Sequence, residues 1–248
     1  MDVHLPKPLH GWRAFAGEVG VIVLGVLIAL GVQQLADAWQ WREKVSRAEN
    51  SMRIELAEDN GPQAYGRILI GNCLDQQITR IRTQAGNVPT DQLRQWIADY
   101  SPPFRTWDSE AWKAVVASDV GSHMGSDRLV AWSAPYRFMP QLSDRDERQA
   151  ELVMQMRATL PPSGEPSPAD LQSLRQTAGQ LQLINGRFVR SAQLLLKRIG
   201  VVGATVPLPI QRELTAEARK IYGGCVTVPD QNAVPRAQLL IADLKSLY

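Results

Sequence analysis

Polar and apolar residues alternate along most of this chain at helical spacing, and one stretch breaks the alternation altogether. Residues Val19 to Val32 read VGVIVLGVLIALGV, fourteen positions without a charge or a polar amide. A membrane-spanning helix needs roughly 20 mostly apolar residues. Extending the run back to Ala14 admits one charge, Glu18, and extending it forward to Leu35 admits Gln33 and Gln34. At a rise of ~1.5 Å per residue the 14–35 segment spans about 33 Å, against a hydrocarbon core of about 30 Å. Trp12 precedes the segment, and Trp39 and Trp41 follow it. Aromatic rings of this kind favour the headgroup level on both sides of a bilayer. The pattern predicts a transmembrane helix over 14–35, after a short cytoplasmic tail, 1–13.

A second reading fits the same residues. A fourteen-residue apolar run is the size of a signal-peptide h-region, and Ala36-Asp37-Ala38 has the small-x-small form of a cleavage site. Two small-xxx-small pairs, Ala16 with Gly20 and Gly25 with Ala29, permit close approach of another membrane helix. Glu18 either snorkels to the headgroups or makes a polar contact with a second subunit.

Beyond the apolar run the periodicity is helical nearly throughout. Trp41, Val45, Ala48, Met52 and Leu56 mark an amphipathic, membrane-proximal helix over 36–59, which Asn60-Gly61-Pro62 is expected to stop. A helix from Gln63 to Gln84 buries Ile70, Leu74, Ile78, Ile81 and Ala85. Thr90 is placed to cap a short helix to Tyr100, and another covers Ser109–Ser118. Ser126 is placed to cap a long stretch to Leu160, interrupted near Pro135 and Pro140. Pro161–Pro168 is a linker. Ser167-Pro168-Ala169-Asp170 is a strong helix start, with a cap, a proline at the first position and an acid in the first turn. Leu171, Leu174, Ala178, Leu181, Ile184, Phe188, Ala192, Leu195 and Ile199 then form the cleanest apolar face in the chain. Helices over Ile210–Tyr222 and Pro235–Leu247 complete an all-α architecture: an N-terminal transmembrane helix continuing into a helical rod, then an irregular helical bundle over 60–248.

Charge narrows the partners. There are 27 Lys and Arg against 25 Asp and Glu, a net +2, so no basic excess points to nucleic acid. Lys7 and Arg13 precede the apolar run, and Arg42, Lys44 and Arg47 follow it. That count leans by one residue toward a cytoplasmic C-terminus, although long domains translocate largely regardless of such charges. The two cysteines argue the other way. Cys73 and Cys225 are too far apart in sequence for a CxxC motif, and an even count in an exported domain predicts a disulfide. The expected topology is therefore single-pass, with the bulk of the chain outside the cytoplasm.

No chemistry-bearing motif appears. The three histidines, His4, His10 and His123, have no metal-ligand spacing, and no phosphate-binding loop or nucleophile elbow is present. His123 sits among Ser118, Asp119, Ser122, Ser126 and Asp127, a composition that helix caps explain without a triad. Glu55, Glu58 and Asp59, and Asp144, Asp146 and Glu147 beside Arg145 and Arg148, read as solvated helix faces. No cofactor is expected. Aromatics crowd the middle third, and Trp107, Trp112, Trp132 and Tyr136 are the candidate partner surface, because aromatics dominate binding hot spots.

The apolar helix resembles the start of an uncharacterised family of small bacterial single-pass membrane proteins. Members carry an acid, an Ile/Val-rich run, a Gly-[IVL]-Leu/Ile-Ile-Ala-Leu block and a Trp-bearing charged helix. Here these are Glu18, Val19–Leu24, Gly25-Val26-Leu27-Ile28-Ala29-Leu30 and Trp39, with Val19-Gly20 departing from an unbroken aliphatic run. The segment IELAEDN, Ile54–Asn60, is similar to the family's acidic, Leu-rich segment. Ala111–Met139 looks like a later region of the family, so the resemblance covers about the first 140 residues. It implies topology and fold and brings no activity. The expected role is that of a non-enzymatic, membrane-anchored interaction protein, such as an accessory subunit of an envelope complex. Its partners would be the lipid bilayer and either other membrane subunits or a second copy. The alternative is an extracytoplasmic ligand-binding sensor or an enzyme of unrecognised type.

Overall fold

The computed structural model describes residues 11–229 and is all-α, with no strand among them. The expected helix Pro235–Leu247, His4, His10, Lys7 and most of the 1–13 tail lie outside the described residues. The chain divides into two compact units after Arg47, earlier than the sequence-based boundary at residue 60.

The first unit is helix α1, Gly11–Ile54, which runs on across the division. It is long and apolar enough to cross a membrane. From Phe15 to Leu30 every side chain is exposed. Val21, Ile22, Leu24, Leu27 and Ile28 are all more than half exposed and lie on different sides of the helix. A helix apolar all round is matched to an apolar solvent.

Asn60-Gly61-Pro62 does not stop the helical chain as expected. Glu55–Asn60 forms a π-helical turn, and α2 (Gly61–Gln84) follows directly. A proline within an α-helix lacks one N–H and its ring clashes with the carbonyl four residues back. The π turn adds a residue to the register, the Gly61 N–H bonds the Leu56 carbonyl, and Pro62 enters at the start of α2, where a missing donor costs nothing. Gly61 is required here: a Cβ would come within 2.7 Å of the Leu56 carbonyl oxygen and 2.8 Å of Val206.

The second unit is built on α2 and α8 (Pro168–Val201), which pack antiparallel along their lengths. Gly71 brings the two backbones together, since a Cβ there would overlap Val189. Helix α8 buries Leu174, Ala178, Leu181, Phe188, Ala192, Leu195 and Ile199, the face the sequence pattern predicts, while Leu171 and Ile184 are half-buried. Its start is a full capping box: Ser167 accepts from the Asp170 N–H, and the Asp170 carboxylate accepts from the Ser167 N–H. Helix α7 (Met139–Ala158) lies on α8, and α9 (Leu208–Tyr222) lies on α2. Helix α3 (Thr90–Asp99) closes one end through Leu93 and Ile97.

Short helices α4 (Glu110–Ala117), α5 (Val120–His123) and α6 (Ser126–Tyr136) form the middle third. Two expected caps fall one residue off. Thr90 is already helical, and its hydroxyl turns to the Glu165 carboxylate instead of the helix end. Ser126 is also helical, after Gly125, whose φ of +78° makes the turn that a side chain would resist.

Candidate functional site

The most unusual group in the interior is Arg67, fully buried on α2. Burying a guanidinium is costly unless its donors find acceptors. Its Nη1 donates to Gln149 Oε1 on α7 (2.9 Å) and its Nη2 to Asn185 Oδ1 on α8 (2.8 Å). Its Cζ lies 4.3 Å from the Phe188 ring centroid, a cation–π contact in a dry setting. Asn185 also donates to the Gly71 carbonyl at 2.9 Å, so the closest approach of α2 and α8 is tied to the arginine. Arg67 therefore joins three helices through neutral acceptors, with no carboxylate in direct contact among the described residues.

Charge is partly balanced one layer away. Asp146 on α7 is buried and accepts from the Trp107 indole Nε1–H at 2.6 Å. Arg105, buried beside it, donates to the Pro103 carbonyl at 3.0 Å. Burial, with repulsion from Arg105, lowers the Arg67 pKa to about 10, still far above neutrality. Burial lowers Arg105 and raises Asp146; the Trp107 hydrogen bond and the two arginines pull the acid back down. Burial pushes the Tyr100 hydroxyl up to about 12. Two arginines against one acid leave this interior net positive.

The sequence reading of Asp146 as solvated is corrected here. It sits one turn from Leu142 and Gln149, on the inner face of α7, where Trp107 supplies a donor. Its neighbours are outside: Asp144, Glu147 and Arg148 are exposed, with Arg148 paired to Glu151 at 2.9 Å. Glu55 needs the same correction. The π turn directs it inward, where Oε2 accepts from the Ala111 N–H at 2.9 Å, in the first turn of α4. A carboxylate there complements the helix dipole. Asn60 holds the residues just before α4, bonding the Asp108 carbonyl and N–H at 2.9 and 3.0 Å.

The four aromatics expected to form a partner surface are largely used inside the fold. Trp132 and Tyr136 are buried. Trp132 donates to Glu49 at 3.2 Å and carries Arg53 over its ring; Tyr136 donates to the Met52 carbonyl at 3.3 Å and stacks on Trp112, with ring centroids 5.6 Å apart. Trp107 and Trp112 are half-buried. Short helices bury little surface of their own, so large rings supply it. His123 is exposed on the short helix α5.

On α1, Trp12, Glu18, Gly25, Ala29 and Trp39 are all exposed, while Trp41 is half-buried with Lys44 over its ring at 4.3 Å. A Cβ at Gly17, Gly20, Gly25 or Gly31 would meet nothing within 4 Å. Cys73 and Cys225 form a disulfide, with Cα atoms 5.1 Å apart. Beside it Asn72 donates to the Cys225 carbonyl at 3.1 Å, and the Thr227 N–H donates to the Leu69 carbonyl at 3.0 Å. The segment after α9 is thereby fastened to α2 by one covalent and two hydrogen bonds.

No buried arginine was singled out from sequence, and one signal for it exists: Arg67 lies three residues before Ile70 and seven before Leu74, on the α2 stripe that enters the core. No protein-family model, curated protein or solved structure matches the chain.

Proposed function

We propose that this chain is a non-enzymatic, membrane-anchored helical interaction protein, such as an accessory subunit of a bacterial envelope complex. In this reading α1 crosses the inner membrane with residues 1–13 in the cytoplasm and 60–248 in the periplasm. The observation that carries it is the contrast between an apolar helix with no covered face over Phe15–Leu30 and a separate unit with its own core. The Cys73–Cys225 bond supports an oxidising compartment. With Trp132 and Tyr136 committed inside, partner contact is assigned chiefly to the open helix face of Gly25 and Ala29, whether to another subunit or to a second copy. Arg67 joins α2, α7 and α8, Asp146 ties α7 to the connector at Trp107, and Glu55 ties the π turn to α4, which supports a scaffolding role for the polar interior.

Carbonate extraction of membranes, followed by protease treatment of spheroplasts, tests the reading. Full-length protein should stay in the pellet, and residues beyond 60 should be cut only from outside. A soluble mature chain beginning at Trp39 would instead establish signal-peptide cleavage. A chain that pulls down no membrane protein and stays monomeric in several mild detergents would remove the interaction role.

A further inference from the structure

After α9 the chain turns back along α2 in a definite direction. Cys225 is bonded to Cys73, the Thr227 N–H donates to the Leu69 carbonyl at 3.0 Å, and Val228 stands with Tyr65 in the wall of one groove. These partners on α2 step back by about one helical turn each time, so the segment travels toward the start of α2. Its backbone is extended at Val226. Val228 precedes Pro229 and Val234 precedes Pro235, and the residue before a proline is driven to extended backbone.

The groove ahead of Val228 has a volume of about 580 Å³ and lies between Tyr65 on α2 and the 208–219 face of α9. The Tyr65 and Thr215 hydroxyls meet in it at 3.3 Å. Arg219 and Arg212 stand about two turns apart along its α9 side, both exposed, and neither makes an ion pair among the described residues. Glu213 and Glu217 of the same helix do not line it. Leu208, at the end away from Val228, is 54% exposed. The groove thus offers two cations without a carboxylate, followed by an uncovered apolar end. From Arg219 to Leu208 helix α9 rises about 16 Å, a length that about five extended residues cover. The next five residues of the chain are Asp230, Gln231, Asn232, Ala233 and Val234. Alternate side chains of an extended segment share a face, which puts Asp230, Asn232 and Val234 in register with Val228.

We propose that this groove is the docking site of the chain's own segment 230–234, which continues from Pro229 as an extended strap with Asp230 between Arg219 and Arg212 and Val234 against Leu208. The acid and the valine then meet the two cations and the apolar end in the order in which the groove presents them. The proposal is independent of the membrane and partner reading above.

Photo-crosslinking within the full chain in mild detergent tests it, with p-benzoylphenylalanine in place of Val234 and, in a second protein, in place of Ala233. Peptide mapping should place the crosslink from position 234 on residues 208–212 of the same molecule, at a yield at least fivefold above that from position 233. Asp230→Arg should lower the yield at least fivefold, as should Arg212→Glu with Arg219→Glu. Combining the three substitutions should restore it, which separates a lost contact from a misfolded helix. Equal yields from the two positions, crosslinks that map elsewhere or no crosslink at all would overturn the proposal. Crosslinks only to a second copy, seen as a dimer on a denaturing gel, would overturn it as well, as would charge reversals that leave the yield unchanged or that are not rescued in combination.

Discussion

Helix α8 and the apolar part of α1 are both long helices, and they meet their surroundings in opposite ways. Helix α8 buries one stripe, opens with a capping box and shows Gln, Arg and Lys to water. The Val19–Val32 stretch of α1 has no stripe: its large residues are exposed on every side, and its glycines face nothing. A helix in water is stabilised chiefly by packing one face against neighbours. A helix in lipid satisfies its backbone internally and needs apolar residues all round. The difference teaches that the same backbone geometry serves two solvents, and the distribution of side chains around the axis says which.

The comparison is sharpened most by Phe188→Ala on α8. It should cost about 3–5 kcal/mol, read as a lower melting temperature, because the ring is fully buried and carries Arg67. Removing both cysteines, Cys73→Ala with Cys225→Ala, should cost about 2–5 kcal/mol by denaturant unfolding, since the bond closes a loop with a sequence separation of 152. Val26→Arg should do the reverse of Phe188→Ala. It leaves the melting of the helical unit unchanged but adds about 2.5–3.5 kcal/mol to insertion, read as loss from the carbonate-resistant pellet. If Val26→Arg left the pellet unchanged, the apolar stretch would not be in lipid and the contrast would break.

Two smaller effects follow. Ser167→Ala should cost about 1 kcal/mol through loss of the α8 cap. Asp146 gives a pH signature. Its pKa in the fold is raised, so the unfolded chain releases that proton first and binds fewer protons across the window between the two values. Stability from this group is present below the ordinary value of 3.8 and is lost as pH rises through the raised one. Asp146→Asn should flatten that part of the stability–pH profile.

Much of this fold was legible in the sequence, and the reasons are physical. The apolar stretch and the α8 face are long, periodic patterns, and long patterns average out local accidents. The Cys73–Cys225 pairing follows from there being only two cysteines. What escaped was set by single side chains in tertiary context. Asp146 lies among charges that point outward, and only the distant Trp107 indole makes its inward position tolerable. Glu55 enters the core because Pro62 provokes a π turn, a response that the usual breaker rule for Gly-Pro does not anticipate. Arg67 is paired by amides far along the chain, at Gln149 and Asn185, and no local spacing announces such partners. The burial of Trp132 and Tyr136 escaped for a related reason: composition places rings in a region without saying whether they face out.

The bond between Cys73 and Cys225 straddles the Pro161–Pro168 connector, whose Ser163, Gly164 and Glu165 are exposed. A single protease cut there would divide the backbone into two polypeptides without separating them. On a non-reducing gel the nicked protein would still run as one species, and reductant would release the halves. The crosslink therefore makes the molecule tolerant of a cut in this connector.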